Sequence, residues 1–253
     1  MRREGSPWQG LGVVTLKELS DHLVSARMGV LEWLIVLIAL AAVYGAIRQI
    51  RDVTAEDPFL FLRLFTTARE PLPSFVAFLG FLVPLMAIGL GFDAVNGEHS
   101  RRTLSRILSQ PIYRDALLFG KFLAGLGIIA ISMLCLWLLV IGLGLIMLGV
   151  PPGGEEMMRA LIFLIVTIIY AGVWLALAML FSILFRSPAT AALITLGLWL
   201  FVTLIWPALA PAIALAVFPS HDQATLIIAA QSLSRLSPST LYGEIVVALL
   251  DPS

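Results

Sequence analysis

The amino-acid sequence predicts an all-α protein that crosses a membrane several times. Of its 253 residues, 60% are hydrophobic and only 13% are charged, and the mean hydropathy is +0.99. Soluble domains have about 45–50% apolar and about 25% charged residues. The formal net charge is zero, so no overall field favours a nucleic-acid partner. Composition therefore excludes a soluble enzyme, a disordered chain and a nucleic-acid-binding protein.

Five apolar runs are long enough to cross a bilayer, which takes about 20 residues of α-helix. The predicted spans are residues 28–47, 74–92, 122–149, 160–185 and 189–206. A turn rich in proline and glycine follows the third span, and Pro207 is expected to end the fifth. Glu32 is the one charge inside these spans. It is either an interfacial carboxylate that pairs with Arg27 or a coupling group of the kind that an ion-driven transporter needs.

The lysines and arginines indicate an orientation. With the N-terminus inside, ten of them lie on the cytoplasmic side and six on the other. This bias predicts a multi-pass protein of the inner (plasma) membrane with a cytoplasmic N-terminus. The segment 1–27 precedes the first span and repeats its apolar residues at helical spacing, as Leu16, Leu19, Leu23 and Val24. It is predicted to be a helix that lies along the membrane surface.

Residues 93–121 form the cytoplasmic loop with the clearest pattern. Ser100 can cap a new helix, and Pro111 can end it. The apolar face of this helix would consist of Leu104, Ile107 and Leu108, and its basic face of Arg102 and Arg106. A short helix of this kind can dock on a partner, lie on the membrane or simply connect two spans.

The same loop resembles the signature of the ABC-2-type permeases, the membrane subunits of ATP-binding-cassette transporters. In that family an acidic residue leaves the second span, and Glu-Arg-Glu-x-Gly-Thr-Leu, Leu-Leu-Ser, Pro, Arg and Gly-Lys follow. The matching residues here are Asp93, Glu98, Thr103, Leu104, Leu108, Ser109, Pro111, Arg114, Gly120 and Lys121. His99 and Arg102 depart from the pattern. Segment 17–19 resembles the family's elbow helix, and the chain is most similar to its multi-copper-maturation and gliding-motility permeases.

The resemblance implies a six-span, type V exporter-like fold that works as a dimer with a second copy or a paralogue, surrounded by membrane lipid. Two cytoplasmic ATPase subunits would bind ATP and magnesium, so no cofactor is expected on this chain. Segment 98–109 would be the coupling helix that docks on an ATPase. The implied coupling residues are Glu98, Arg101, Arg102, Thr103, Leu104, Arg106, Ile107, Leu108 and Pro111. The other signature residues are Asp93, Arg114, Gly120 and Lys121.

The sixth span of that family has no counterpart in the sequence. The last apolar run, 241–250, contains Glu244 and is too short to cross a bilayer. With five spans and the N-terminus inside, segment 207–253 is predicted to be extracytoplasmic. Either the chain is truncated before a sixth span, which is the alternative we expect, or residues 241–250 form a non-spanning end.

Other functions receive less support. No Gly-x-x-x-x-Gly-Lys-Ser/Thr motif is present, so we expect a transport subunit that hydrolyses no ATP itself. Glu155, Glu156 and Arg159 resemble the Glu-Glu-x-x-x-Arg motif of CAAX-type membrane proteases, but the spacing is one residue short. An acidic helix start explains them better. The three histidines lie far apart, so no metal site is expected. A secondary transporter or channel, for which Glu32 would matter, remains the alternative.

Overall fold

The computed structural model describes residues 8, 10–51, 59–100, 113–149, 151–217 and 223–251, and these residues are almost entirely helical. The helices are α1 (Leu11–Leu23), α2 (Ala26–Arg51), α3 (Arg63–Thr66), α4 (Phe75–Gly91), α5 (Asn96–Ser100), α6 (Arg114–Leu148), α7 (Gly154–Leu184), α8 (Pro188–Leu200), α9 (Trp206–Val217), α10 (Gln223–Ser234) and α11 (Pro238–Leu250). A π-helix, Phe201–Ile205, joins α8 to α9. The all-α fold is therefore confirmed.

Five helical segments of the described ranges are long and apolar enough to cross a membrane, as the sequence predicts. They are Met28–Ile50, Phe75–Ser100, Arg114–Leu148, Gly154–Leu184 and Pro188–Val217. Their ends are not those predicted. The third helix begins at Arg114 instead of residue 122, and the fourth at Gly154 instead of residue 160. The reason is that a charged side chain ends an apolar run without ending the helical backbone.

The fifth helix also runs further than predicted, through Pro207 and Pro211 to Val217. The N–H of Trp206 donates to the carbonyl of Phe201, five residues back, instead of four. In a regular α-helix the ring of Pro207 would clash with the carbonyl four residues before it. The wider π-turn just before the proline relieves that contact. The prediction that Pro207 ends this helix is therefore wrong.

Helix α7 lies at the centre of the bundle and packs against α4, α6, α8 and α11. Trp174 and Phe163 on α7 are almost completely buried. Phe65 of α3 contacts Phe163 edge-on, with ring centroids 5.7 Å apart, and it contacts Phe75 of α4 in the same way at 5.6 Å. Where α4 crosses α7, Gly91 lies so close that a Cβ there would be 2.8 Å from Ala178 Cβ. Aromatic contacts and close helix packing at Gly91 thus fix the position of α7.

Helix α1 occupies the position of the predicted pre-span helix and packs along the first part of α6. Val14 is buried beside Gly120, and Leu19 lies beside Gly127. The opposite face of α1 exposes Val13 and Leu16, with 72% and 66% of their surface accessible. One side of the helix is therefore fixed to the bundle, while apolar side chains on another side are left for a membrane surface.

Helices α9 and α10 pack against each other as a hairpin, and α11 returns into the bundle against α7. Trp206 Nε1 donates to the carbonyl of Leu233, which holds α10 against α9. At the start of α11, Ser239 Oγ is 3.0 Å from the hydroxyl of Tyr170, near the middle of α7. At its end, Arg159 donates to the carbonyl of Leu249. Helix α11 has 13 residues, so at 1.5 Å per residue it is about 20 Å long.

Candidate functional site

Three elements meet through a buried ion-pair cluster at the end of the bundle that carries α1. The ammonium group of Lys121 on α6 lies 2.6 Å from Glu98 Oε1 on α5 and 3.1 Å from Glu18 Oε2 on α1. The side chain of Lys121 is only 7% exposed, and those of Glu18 and Glu98 are 12% and 16% exposed. We call these three residues the charged junction.

The charged junction is stabilised because each charge has an opposite neighbour. Burial alone would raise the pKa of the Glu18 carboxyl. The Coulomb attraction of Lys121, together with hydrogen bonds from Lys17 and Lys121, outweighs that effect and lowers the pKa. Removing Lys121 would leave two buried carboxylates without the cation between them, which is far more costly than the cluster itself. Lys121 therefore holds α1 and α5 to the same point of α6.

Lys17 extends the cluster towards solvent. Its ammonium group lies 3.0 Å from Glu18 and 2.9 Å from Asp21. Partial burial opposes the charged form of Lys17, but hydrogen bonds to these carboxylates raise its pKa overall. With 61% of the side chain exposed, solvent screens these pairs, and they contribute little to stability. The strong links of the site are those that Lys121 makes.

Gly120 lets α1 approach α6 closely. A Cβ at this position would lie 2.7 Å from Val14 Cγ1 and 3.0 Å from Val14 Cβ. The neighbouring Lys121 then projects between Glu18 and Glu98. The Gly-Lys pair of the sequence signature therefore has two connected structural roles, close packing and charge pairing.

Helix α7 fixes α5 from the other side. Ser182 Oγ accepts hydrogen bonds from the backbone N–H groups of Val95 and Asn96, at 3.0 and 3.2 Å. Asn96 Nδ2 donates to the carbonyl of Phe185 at 3.1 Å. Ser182 thus satisfies two donors at the start of α5 that have no partner within so short a helix. The segment that leads into residues 101–112 is held by α1, α6 and α7 together.

We expect Ser182→Ala to lower the free energy of unfolding by about 1–3 kcal/mol, because it removes the acceptor for two N–H groups, one of them on the buried residue Asn96. The midpoint of thermal unfolding in detergent, followed by tryptophan fluorescence, measures the change. Ser232→Ala is the matched control, since the exposed Ser232 hydroxyl bonds only a carbonyl of its own helix. Equal midpoints for the two variants would contradict the role assigned to Ser182.

A cavity of about 440 Å³ opens beside the charged junction. Its walls include the three junction residues, Asp93 at the end of α4, and His22 and Ser25 at the end of α1. Of the signature residues, Asp93, Glu98 and Lys121 therefore lie together, and Gly120 lies next to them. Arg114 is exposed at the start of α6. Arg101, Arg102, Thr103, Leu104, Arg106, Ile107, Leu108 and Pro111 lie outside the described residues.

Sequence reasoning missed several residues of this site. Glu18 stood out only as part of the segment that resembles the elbow helix, and no partner was predicted for it. The contacts of Ser182 and Asn96 between α7 and α5 were not predicted. A lysine at the edge of an apolar run signals that a carboxylate must be close, but not which one. Elsewhere, Glu156 accepts hydrogen bonds from the N–H groups of Phe61 and Gly153. That capping role fits the acidic helix start expected there.

Comparison with known proteins identifies the family to which this chain belongs. The family model described as "ABC-2 family transporter protein" matches residues 13–250. The chain belongs to the ABC-2 transporter family. The predicted family is therefore confirmed, and the chain is a membrane-embedded member of it.

Two relatives of this chain share one name with each other. A "probable ABC transporter permease protein NosY" of Pseudomonas aeruginosa is 31% identical over 183 residues, which cover 70% of this chain and 59% of the relative. A protein of the same name from Stutzerimonas stutzeri is 29% identical over 148 residues, covering 56% of this chain and 51% of the relative. The chain thus matches little more than half of each relative's length.

Proposed function

We propose that this chain is the permease subunit of an exporter driven by separate ATPase subunits. The ATPases bind ATP and magnesium and dock on segment 98–109 from the cytoplasm. The N-terminus and the charged junction then lie on the cytoplasmic side of the inner (plasma) membrane, in agreement with the lysine and arginine distribution.

The observation that carries the proposal is the double pairing of Lys121 with Glu98 and Glu18. An ATPase that moves segment 98–109 has to move spanning helices if it is to drive transport. Glu98 stands at the root of that segment and is bound to α6 through Lys121, and Ser182 ties the same root to α7. Displacement of the segment is therefore passed directly to two spans, as a rigid element can do.

A second permease copy is the partner that suits the fifth span. In an apolar 18-residue stretch of the helix Pro188–Val217, only 11% of the residues are buried within the chain, against 33–56% in the corresponding stretches of the other four spanning helices. Leu193 and Leu204 on it are 72% and 61% exposed. Apolar surface of this extent can face lipid or a second copy. We assign it to the dimer contact, with lipid covering the rest.

The test is affinity purification of the tagged chain from membranes of its native host. We expect an ATPase subunit to co-purify and Leu104→Glu to abolish its recovery, because a carboxylate would enter the apolar face that docks. Arg69→Glu is the control, since it also adds a carboxylate but lies exposed in the segment between α3 and α4. Loss of the ATPase in both variants, or in neither, would contradict docking at this segment.

The alternative, a secondary transporter, predicts different results. The purified chain would then drive uptake into vesicles from an ion gradient alone, and Glu32→Gln would abolish that uptake. We expect no uptake without the ATPase and ATP. Gradient-driven uptake by the chain alone would overturn the proposed function.

A further inference from the structure

Glu32 lies in a groove between two spanning helices, and this groove supports an inference independent of the ATPase partner. Ser132 Oγ on α6 donates to Glu32 Oε1 on α2 at 2.9 Å. Both residues line a cavity of about 230 Å³, whose other walls are aliphatic apart from Cys135. Ile35 and Val36 lie on the α2 side of the cavity, and Ile131 lies on the α6 side. The groove therefore combines apolar walls with one carboxylate.

The groove lies between the first and third spanning helices. Glu32 is the fifth residue of the spanning segment Met28–Ile50. Ser132 follows Lys121 by eleven residues on α6, which is about 16 Å at 1.5 Å per residue. The groove is therefore separate from the charged junction.

The partner that the described residues offer the Glu32 carboxylate is the Ser132 hydroxyl. Among the described side chains, no cation lies within ion-pair distance of its carboxylate, and the side chain of Arg27, the partner expected from the sequence, is outside the described residues. Ser132 also lies 2.9 Å from the carbonyl of Ile128, and its single hydrogen serves one acceptor at a time. A carboxylate in an apolar setting is stabilised strongly by a further charged donor.

We propose that this groove binds an amphiphilic organic cation, a free alkylamine or arylamine, with its ammonium group on Glu32 and its tail on the aliphatic walls. Charge complementarity selects the cation, because a neutral or anionic amphiphile gains only the apolar contact. The cavity is smaller than the 300–1,000 Å³ of typical drug sites, so it suits one alkyl tail or one ring.

The test uses a dodecylamine probe with a diazirine on its alkyl chain and the matching dodecanol probe. The full chain is reconstituted in nanodiscs of zwitterionic lipid, irradiated with each probe, and labelled peptides are mapped by mass spectrometry. We expect the amine to label the 131–139 region about tenfold more than the alcohol, as a charge-assisted hydrogen bond provides. Glu32→Gln keeps an acceptor for Ser132 and should reduce amine labelling to the level of the alcohol.

Two controls keep the result specific. Glu244→Gln removes an exposed carboxylate on α11 and should leave amine labelling unchanged. Val36→Trp fills the groove and should suppress labelling by both probes, with gel-filtration profiles confirming that each variant remains folded. Equal labelling by the two probes, or amine labelling that persists in Glu32→Gln, would overturn the proposal.

Discussion

Replacing Lys121 by methionine should lower the free energy of unfolding by about 3–5 kcal/mol, the usual cost of removing one partner from a buried ion pair. Methionine fills a similar volume, so the loss is electrostatic and not a cavity. The carboxylates of Glu18 and Glu98 would remain 12% and 16% exposed without the cation between them. For a chain of this size, the midpoint of thermal unfolding in detergent should fall on the order of 10 °C.

A triple variant separates the charge from the packing. In Glu18→Met, Glu98→Met and Lys121→Met combined, no buried charge is left unpaired. Buried ion clusters replaced by well-packed apolar residues are often neutral or stabilising, so the midpoint should return to within a few degrees of the wild type. If the triple variant is as unstable as Lys121→Met, the cost of the single change does not come from uncompensated charge.

The same two variants test how motion is passed to the spans. The triple variant is expected to be stable yet to couple poorly, because apolar contacts between α1, α5 and α6 can slide where a lysine between two carboxylates cannot. ATP hydrolysis by the co-purified partner, measured in nanodiscs, is the readout. Wild-type hydrolysis in the stable triple variant would show that the ion pairs serve stability alone.

The five spans could be predicted from composition, because an apolar run of about 20 residues with at most one charge has few stable environments other than a membrane. The ends of the helices could not. Lys121 marks where the apolar run begins, but the helical backbone of α6 extends through it back to Arg114. Pro207 was expected to end the fifth helix, but a π-turn relieves the steric clash that would have ended it. The hydropathy of a segment predicts whether it lies in a membrane. It does not determine where the backbone hydrogen bonds of the helix end.

The charged junction was only half predictable. The resemblance selected Glu98, Gly120 and Lys121, and they do lie together. It did not reveal that Glu18, far away in sequence, completes the cluster, because pairing depends on how α1 packs along α6. Segment 182–187 resembles the family's tight turn between spans four and five, but nothing in the sequence indicated that Ser182 bonds α5, since a serine near the end of an apolar helix usually bonds its own backbone. Contacts between distant segments are the part of the site that required the structure.

Gly120→Ala should destabilise the protein, although alanine is ordinarily the better helix residue by about 1 kcal/mol. The new Cβ would lie 2.7 Å from Val14 Cγ1, and valine has little freedom to turn its side chain away. Overpacking of this kind costs about 1–3 kcal/mol. The result should be a net loss, together with displacement of Glu18 from Lys121, and it is measured by the midpoint of thermal unfolding in detergent.

Gly127→Ala is the matched control on the same helix pair, because its Cβ would meet Leu19 Cδ1 at an ordinary 3.6 Å. Gly127→Ala should therefore be stabilised by the higher helix propensity of alanine, without the clash that offsets it in Gly120→Ala. Its midpoint of thermal unfolding should rise. Combining Gly120→Ala with Val14→Ala removes the clashing methyl groups and should recover most of the loss. If both glycine variants shift the midpoint in the same direction, or if Val14→Ala does not rescue Gly120→Ala, then close packing of α1 on α6 is not what requires glycine at this position.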